Sequence, residues 1–197
     1  MIQVERRQSA DSYFDAGEKR YFDPIEKCMV VKIYSGDCYV TSAHNEMLVT
    51  ILGSCVSACI HDPIAKITGI NHFLLPGVPN EHGDQPSPRY GKIAMDLLIE
   101  KLVAAGANYH ALEVKLFGGG NVISNSVPIG GRNVEFVRLY LAQHHLSLKG
   151  SDLGGTLPRR IHYYTQDGRV MLRKLHRQSD QAIYATELAE LEVAQDA

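Results

Sequence analysis

Residues 50–62 read TILGSCVSACIHD, with Cys55 directly after Gly53-Ser54 and Cys59 four positions on. A cysteine can act as a nucleophile, as a metal ligand, or as a small buried hydrophobe. Gly53-Ser54 allows a sharp turn and a close approach of backbone to a ligand, and such a turn can expose N–H groups of the kind that hold an oxyanion. A free thiol has a pKa of about 8.5, so a nucleophilic Cys55 needs a base. The best candidate is His72 in GINHFLLP, flanked by Ile70, Phe73, Leu74 and Leu75. Two strands joined at Asp62-Pro63 could set residues 55 and 72 side by side. A histidine satisfied within the core remains the plainer reading of the same spacing.

Zinc is the competing use, because His61 and His72 join the two cysteines in number. If VSAC is a strand, residues 55 and 59 share a face but lie about 13 Å apart along it, too far for one ion. No metal is therefore expected, and Cys59 reads as sheet packing. Gly118-Gly119-Gly120 follows an apolar run, but no Lys-Ser/Thr follows it and G-x-G-x-x-G is not met, so a nucleotide loop is disfavoured. With Gly130-Gly131 and Gly154-Gly155, it suggests backbone packed closely around something. His144-His145 suits a helix C-terminus, where positive charge is favoured, and His82 falls in a loop.

The elements that must position these residues follow from the patterning. MLVTILG and VSACIHD read as buried strands, CMVVKIYSGDCYVTS as two short strands around Ser35-Gly36-Asp37, and KITGINHFLL as a run ended by Pro76-Gly77. IAMDLLIEKLVAAGA has helical spacing with Ile93, Leu97, Leu98 and Leu102 on one face and Gly106 as C-terminal cap. ALEVKLF is a strand. Residues 133–144 form a second helix with Val134, Val137 and Leu141 inward. LSLKGSDL and RRIHYYTQDGRVMLRKL supply further strands, the last two joined at Asp167-Gly168. The class is α/β of the α+β kind, a layered sandwich of mixed and antiparallel sheets with two main helices. Residues 1–24 read as a polar, mostly unstructured arm, 25–176 as one domain, and 177–197 as an acidic tail.

The chain has 197 residues, 45% hydrophobic and 21% charged, with net charge −2. At this length a fold buries roughly 70% of its unfolded surface without a disulfide or metal. Scattered Lys and Arg argue against nucleic acid. No apolar run is long enough to span a membrane, and the N-terminus lacks a signal peptide's apolar core. A cytoplasmic protein with free thiols is expected.

Thr50-Ile-Leu-Gly-Ser-Cys55, Asp62 and Gly69-x-x-His72-x-x-Leu75-Pro76 together resemble the CheD family of chemoreceptor glutamine deamidases. The likeness continues through Arg89-Tyr90-Gly91, Lys115-x-Phe117-Gly118-Gly119, Ile129-Gly130-x-x-Asn133, Asp152-x-Gly154-Gly155 and Arg160, and covers roughly residues 28–173. His72 lies seventeen positions after Cys55, as in that family.

The resemblance implies a layered α/β sandwich that deamidates glutamines of methyl-accepting chemoreceptors in chemotactic adaptation. It implies Cys55 as nucleophile and His72 as base, joined as an ion pair, and Thr50 as the third residue. The backbone near Gly53 and Ser54, with Gly118 and Gly119, would line the oxyanion site. No cofactor is implied. The partners are the receptors' cytoplasmic domains and a CheC-type phosphatase. Two other readings stand beside it. One is a different thiol hydrolase, such as a receptor methylesterase. The other is a non-catalytic module that binds receptor or phosphatase.

Overall fold

A computed structural model describes residues 19–78, 86–122 and 129–176. One five-stranded sheet has the spatial order β1 (Arg20–Asp23), β2 (Cys28–Lys32), β4 (Glu46–Leu52), β9 (Arg159–Tyr164), β10 (Val170–Lys174). The other runs β3 (Cys38–Thr41), β6 (Ile67–Asn71), β5 (Val56–Asp62), β7 (Glu113–Gly118), β8 (Ser147–Leu153). Each sheet has one parallel pair, β2 with β4 and β7 with β8, and is otherwise antiparallel. Helices α1 (Gly91–Ala104) and α2 (Ile129–Gln143), with a short 3-10 turn at Tyr109–Ala111, complete the described elements. The α+β class with mixed sheets and two helices is as expected.

Three layers result: the first sheet, the second sheet, and the helices. The period-2 pattern of β5 explains the middle one. Val56, Ala58 and Ile60 face α1 and α2, where they meet Ala94, Met95, Leu98, Leu102, Val137 and Leu141. Cys55 and Cys59 face the other way, into a layer shared with Val31, Ile33, Leu48, Leu52, Ile161 and Tyr163 of the first sheet. A strand buried on both faces carries a nearly continuous apolar run, which is how β4 and β5 read. Every residue of both is buried. In β4, Leu48 and Leu52 point between the sheets, whereas Met47 and Val49 pack on the opposite face with Cys28 and Val30.

Three expectations need correction. Residues 20–23, assigned to the unstructured arm, form β1, an edge strand paired with β2 and tied by the Arg20 guanidinium to the Glu46 carboxylate. The strands around Ser35-Gly36-Asp37 do not pair with each other: β2 joins the first sheet and β3 the second, so the turn crosses between layers. The buried face of α1 is rotated from the expected one. Ala94, Met95, Leu98 and Leu102 are buried, whereas Ile93 and Leu97 are half-buried. Residues 1–18, the loop around His82 and the acidic tail 177–197 lie outside the described residues. Among the described residues, no helix is long and apolar enough to cross a membrane.

Candidate active site

The residues preceding β5 and following β6 are neighbours. Val56 and Phe73 exchange both backbone hydrogen bonds, at 3.0 and 2.9 Å. That antiparallel register places Cys55 opposite Leu74 and His72 diagonally across from Cys55 on the same face, within reach of a long side chain. Residues 55 and 72 are thus diagonal neighbours rather than directly opposed. Both face the layer between the sheets and are nearly sealed from solvent, Cys55 at 4% and His72 at 2% exposure.

His72 is held at its backbone and at its ring. Its N–H donates to the Asp37 carbonyl at 3.1 Å, and its carbonyl accepts from Gly36 N–H at 2.7 Å. The turn between β2 and β3 therefore clasps the histidine from the side. Asn71, one residue earlier, fixes the strand end: its Oδ1 accepts from Ala58 N–H and its Nδ2 donates to the Ala94 carbonyl of α1. At the ring, Nδ1 lies 2.9 Å from the Thr50 hydroxyl. Thr50 lies between Leu48 and Leu52 on the inward face of β4 and is fully buried. The structure therefore joins Thr50 and His72 directly and sets Cys55 beside them.

Nε2 of His72 has no hydrogen-bond partner among the described residues. With Nδ1 engaged by Thr50, Nε2 is the ring nitrogen left for acid–base work. Catalytic hydrogen bonds are often loose before substrate binds. Burial lowers the His72 pKa to about 4, against smaller upward contributions from a backbone hydrogen bond at Ile33 and from Asp37. Desolvation penalises the charged imidazolium. Burial thus favours the neutral imidazole over the charged one.

The glycine loops converge on the backbone before Cys55. Gly119 N–H donates to the Cys55 carbonyl and Gly120 N–H to the Gly53 carbonyl, both at 2.7 Å. At Gly118, with φ +112°, a Cβ would lie 2.1 Å from the Cys55 carbonyl oxygen, so only glycine fits. Gly154 N–H reaches the Gly118 carbonyl at 2.9 Å, and Asn121 N–H the Gly155 carbonyl at 2.8 Å. Arg159, buried at the start of β9, donates to the Asp152, Gly154 and Leu157 carbonyls and pairs with the Asp152 carboxylate. The glycine pairs thus pack around the cysteine turn. Gly118 and Gly119 do border the site, but the Gly119 N–H is already committed to the Cys55 carbonyl. Gly53 and Ser54, the other residues expected to line an oxyanion site, form the turn directly before Cys55.

Cys59 lies in the inter-sheet core, where burial drives its thiol pKa strongly upward, as suits a packing residue. Asp62 caps the β5–β6 turn, accepting from the N–H groups of Ile64, Ala65 and Asn108. Sequence reasoning gave no role to Asn71, Arg159 or Asn133. Asn133 could have been found: it lies four residues before Val137 and eight before Leu141, a polar side chain in the buried stripe of α2.

Comparison with known proteins adds independent findings. A family model described as CheD chemotactic sensory transduction matches residues 74–174, beginning two residues after His72. The chain is 47% identical over 171 residues to a probable chemoreceptor glutamine deamidase CheD of Rhodopseudomonas palustris (strain BisA53), covering 86% of this chain and 80% of that protein. It is 46% identical over 176 residues to the protein of the same description from Bordetella parapertussis, covering 85% of this chain and 81% of that one. A third such protein, from Halorhodospira halophila, is 43% identical over 174 residues, covering 85% and 80%.

Proposed function

The chain belongs to the CheD family, and on that premise we propose that it hydrolyses glutamine side-chain amides of chemoreceptors to glutamate, with Cys55 as nucleophile. The observation that carries the mechanistic part is the 2.9 Å contact of the Thr50 hydroxyl with Nδ1 of His72, in the buried layer that also holds Cys55. A nucleophile, a base beside it and a third group orienting the base make up the triad logic of acyl transfer.

In this reading His72 Nε2 takes the Sγ proton as Sγ attacks the carboxamide carbon. The carbonyl oxygen becomes an oxyanion held by backbone N–H groups of the turn at residues 53–55. The imidazolium then gives its proton to the departing nitrogen, ammonia leaves, and a thioester remains. Water attacks that thioester, again giving a proton to Nε2. The tetrahedral intermediate collapses to release glutamate, and the proton returns to the thiol. The Thr50 hydroxyl oxygen accepts a hydrogen bond from Nδ1–H throughout and keeps Nε2 aimed at the thiol. The neutral resting imidazole suits this sequence, since a base must be unprotonated when substrate arrives.

The product adds one negative charge to a receptor helix. The reading sets the protein to work in the cytoplasm, on the receptors' cytoplasmic domains, with a CheC-type phosphatase as a second partner that the family resemblance alone supports. The test is mass spectrometry of receptor peptides after incubation with wild type or Cys55→Ala. Wild type should add the roughly 1 Da of each Gln-to-Glu conversion, and Cys55→Ala should not. Conversion by the variant would exclude Cys55 as nucleophile. Absence of conversion with wild type would favour the non-catalytic binding module.

A further inference from the structure

The ladder between the β5 and β6 extensions breaks at the cysteine. Beyond the Val56–Phe73 pair, the next exchange in register would join Ser54 to Leu75. Leu75 N–H instead donates to the Arg89 carbonyl at 3.0 Å. A side chain takes the vacated rung. The Asn133 amide nitrogen on α2 donates to the Ser54 carbonyl at 3.0 Å and to the Leu74 carbonyl at 2.7 Å. Three consecutive carbonyls are therefore fixed, those of Gly53 and Cys55 by the N–H groups of Gly120 and Gly119 and that of Ser54 by Asn133.

In a trans peptide the C=O and the following N–H point in opposite directions, and the described peptides include no cis bond. Fixing the Ser54 carbonyl thus fixes the direction of the Cys55 N–H. We propose that Asn133 is a positioning residue that aims the Cys55 backbone N–H at the oxyanion by holding the Ser54 carbonyl. The inference rests on the reading of Cys55 as nucleophile. A second observation supports it. Asn133 is fully buried, and its Oδ1 has no hydrogen-bond partner among the described residues. An unsatisfied buried acceptor costs stability, so the amide is a poor choice for packing alone, and the two N–H donors are what it contributes.

The test uses Asn133→Leu, close in shape without donors, and Asn133→Ala beside it, in the full chain. Two rates are compared with wild type: kcat for deamidation of a receptor fragment, and alkylation of Cys55 by iodoacetamide. Alkylation is displacement at a saturated carbon and forms no oxyanion. A lost oxyanion donor lowers kcat by about 100-fold or more, so kcat should fall by that order in a folded variant while the alkylation rate stays within about twofold of wild type. An unchanged kcat overturns the proposal. So does alkylation falling in step with kcat, or loss of the fold in both variants, because Asn133 would then be a structural clamp only. Turnover by Cys55→Ala would instead remove the nucleophile itself and is distinguishable from each of these.

Discussion

Thr50 and His72 belong to different sheets, yet the Thr50 hydroxyl lies 2.9 Å from Nδ1 of His72 in the layer between them. The imidazole is therefore oriented across a hydrophobic interface rather than from its own strand. Thr50→Val keeps the shape and removes the hydroxyl. Deamidation kcat should fall roughly tenfold to a hundredfold, the lower part of what acid–base catalysis contributes, and Thr50→Ser should restore most of it. Wild-type turnover in Thr50→Val would reduce Thr50 to a packing residue.

The histidine makes a prediction in pH. Nε2 can accept a proton only when the ring is neutral, and burial lowers the His72 pKa from 6.5 to about 4. The alkylation rate of Cys55 should lose its His72-dependent part as pH falls through about 4. An acid limb near 6.5 would mean that the ring is not desolvated in solution.

Stability follows the same linkage with a definite sign. Above pH 6.5 the ring is neutral in both folded and unfolded chains. Between 6.5 and about 4 the unfolded chain binds a proton that the folded one excludes, so stability falls with pH across that window and the contribution levels off below it. His72→Leu should flatten that part of the curve in urea titrations. An identical pH dependence in variant and wild type would count against the burial argument.

Two glycines give opposite expectations. Gly118→Ala puts a Cβ against the Cys55 carbonyl at a φ of +112° and should cost at least about 3 kcal/mol, the range of large steric effects. Gly131→Ala lies in α2 with nothing within 4 Å of the new methyl and should stabilise by about 0.5–1 kcal/mol. Urea midpoints decide both, and a neutral Gly118→Ala would mean that the loop can move off the cysteine.

Cys59→Ala should keep deamidation at the wild-type rate while losing about 1–2 kcal/mol of stability as a small cavity forms in the inter-sheet core. A large loss of kcat with the fold intact would give Cys59 a part in the chemistry.

Strong local patterns were legible in the sequence. The apolar runs of β4 and β5 and the β9–β10 hairpin read directly, because burial on both faces and a glycine-bearing turn each leave a local mark, although the loop spans the four residues 165–168, closed by Tyr164 and Arg169, rather than Asp167-Gly168 alone. Sheet membership did not, since nothing near Ser35-Gly36-Asp37 says that β2 and β3 part into different layers. The edge strand β1 was missed because its polar alternation resembles a solvated arm and its anchor, Glu46, lies 26 residues away. At the site, spacing suggested Cys55 with His72, and resemblance alone supplied Thr50. Helical spacing marks Asn133 as a buried polar residue, but its carbonyl partners and the contact across the sheets depend on tertiary packing, which spacing does not encode.

The depth of the thiol sets a length requirement. With Cys55 at 4% exposure, a carbonyl that reaches Sγ must stand away from its own main chain on a slender stem. Glutamine offers two methylenes before its carboxamide, asparagine one, and a peptide bond none. On the proposed reading of Cys55 as nucleophile, that depth works as a ruler, one that admits the tip of a side chain and keeps the receptor's backbone out of reach of the same chemistry.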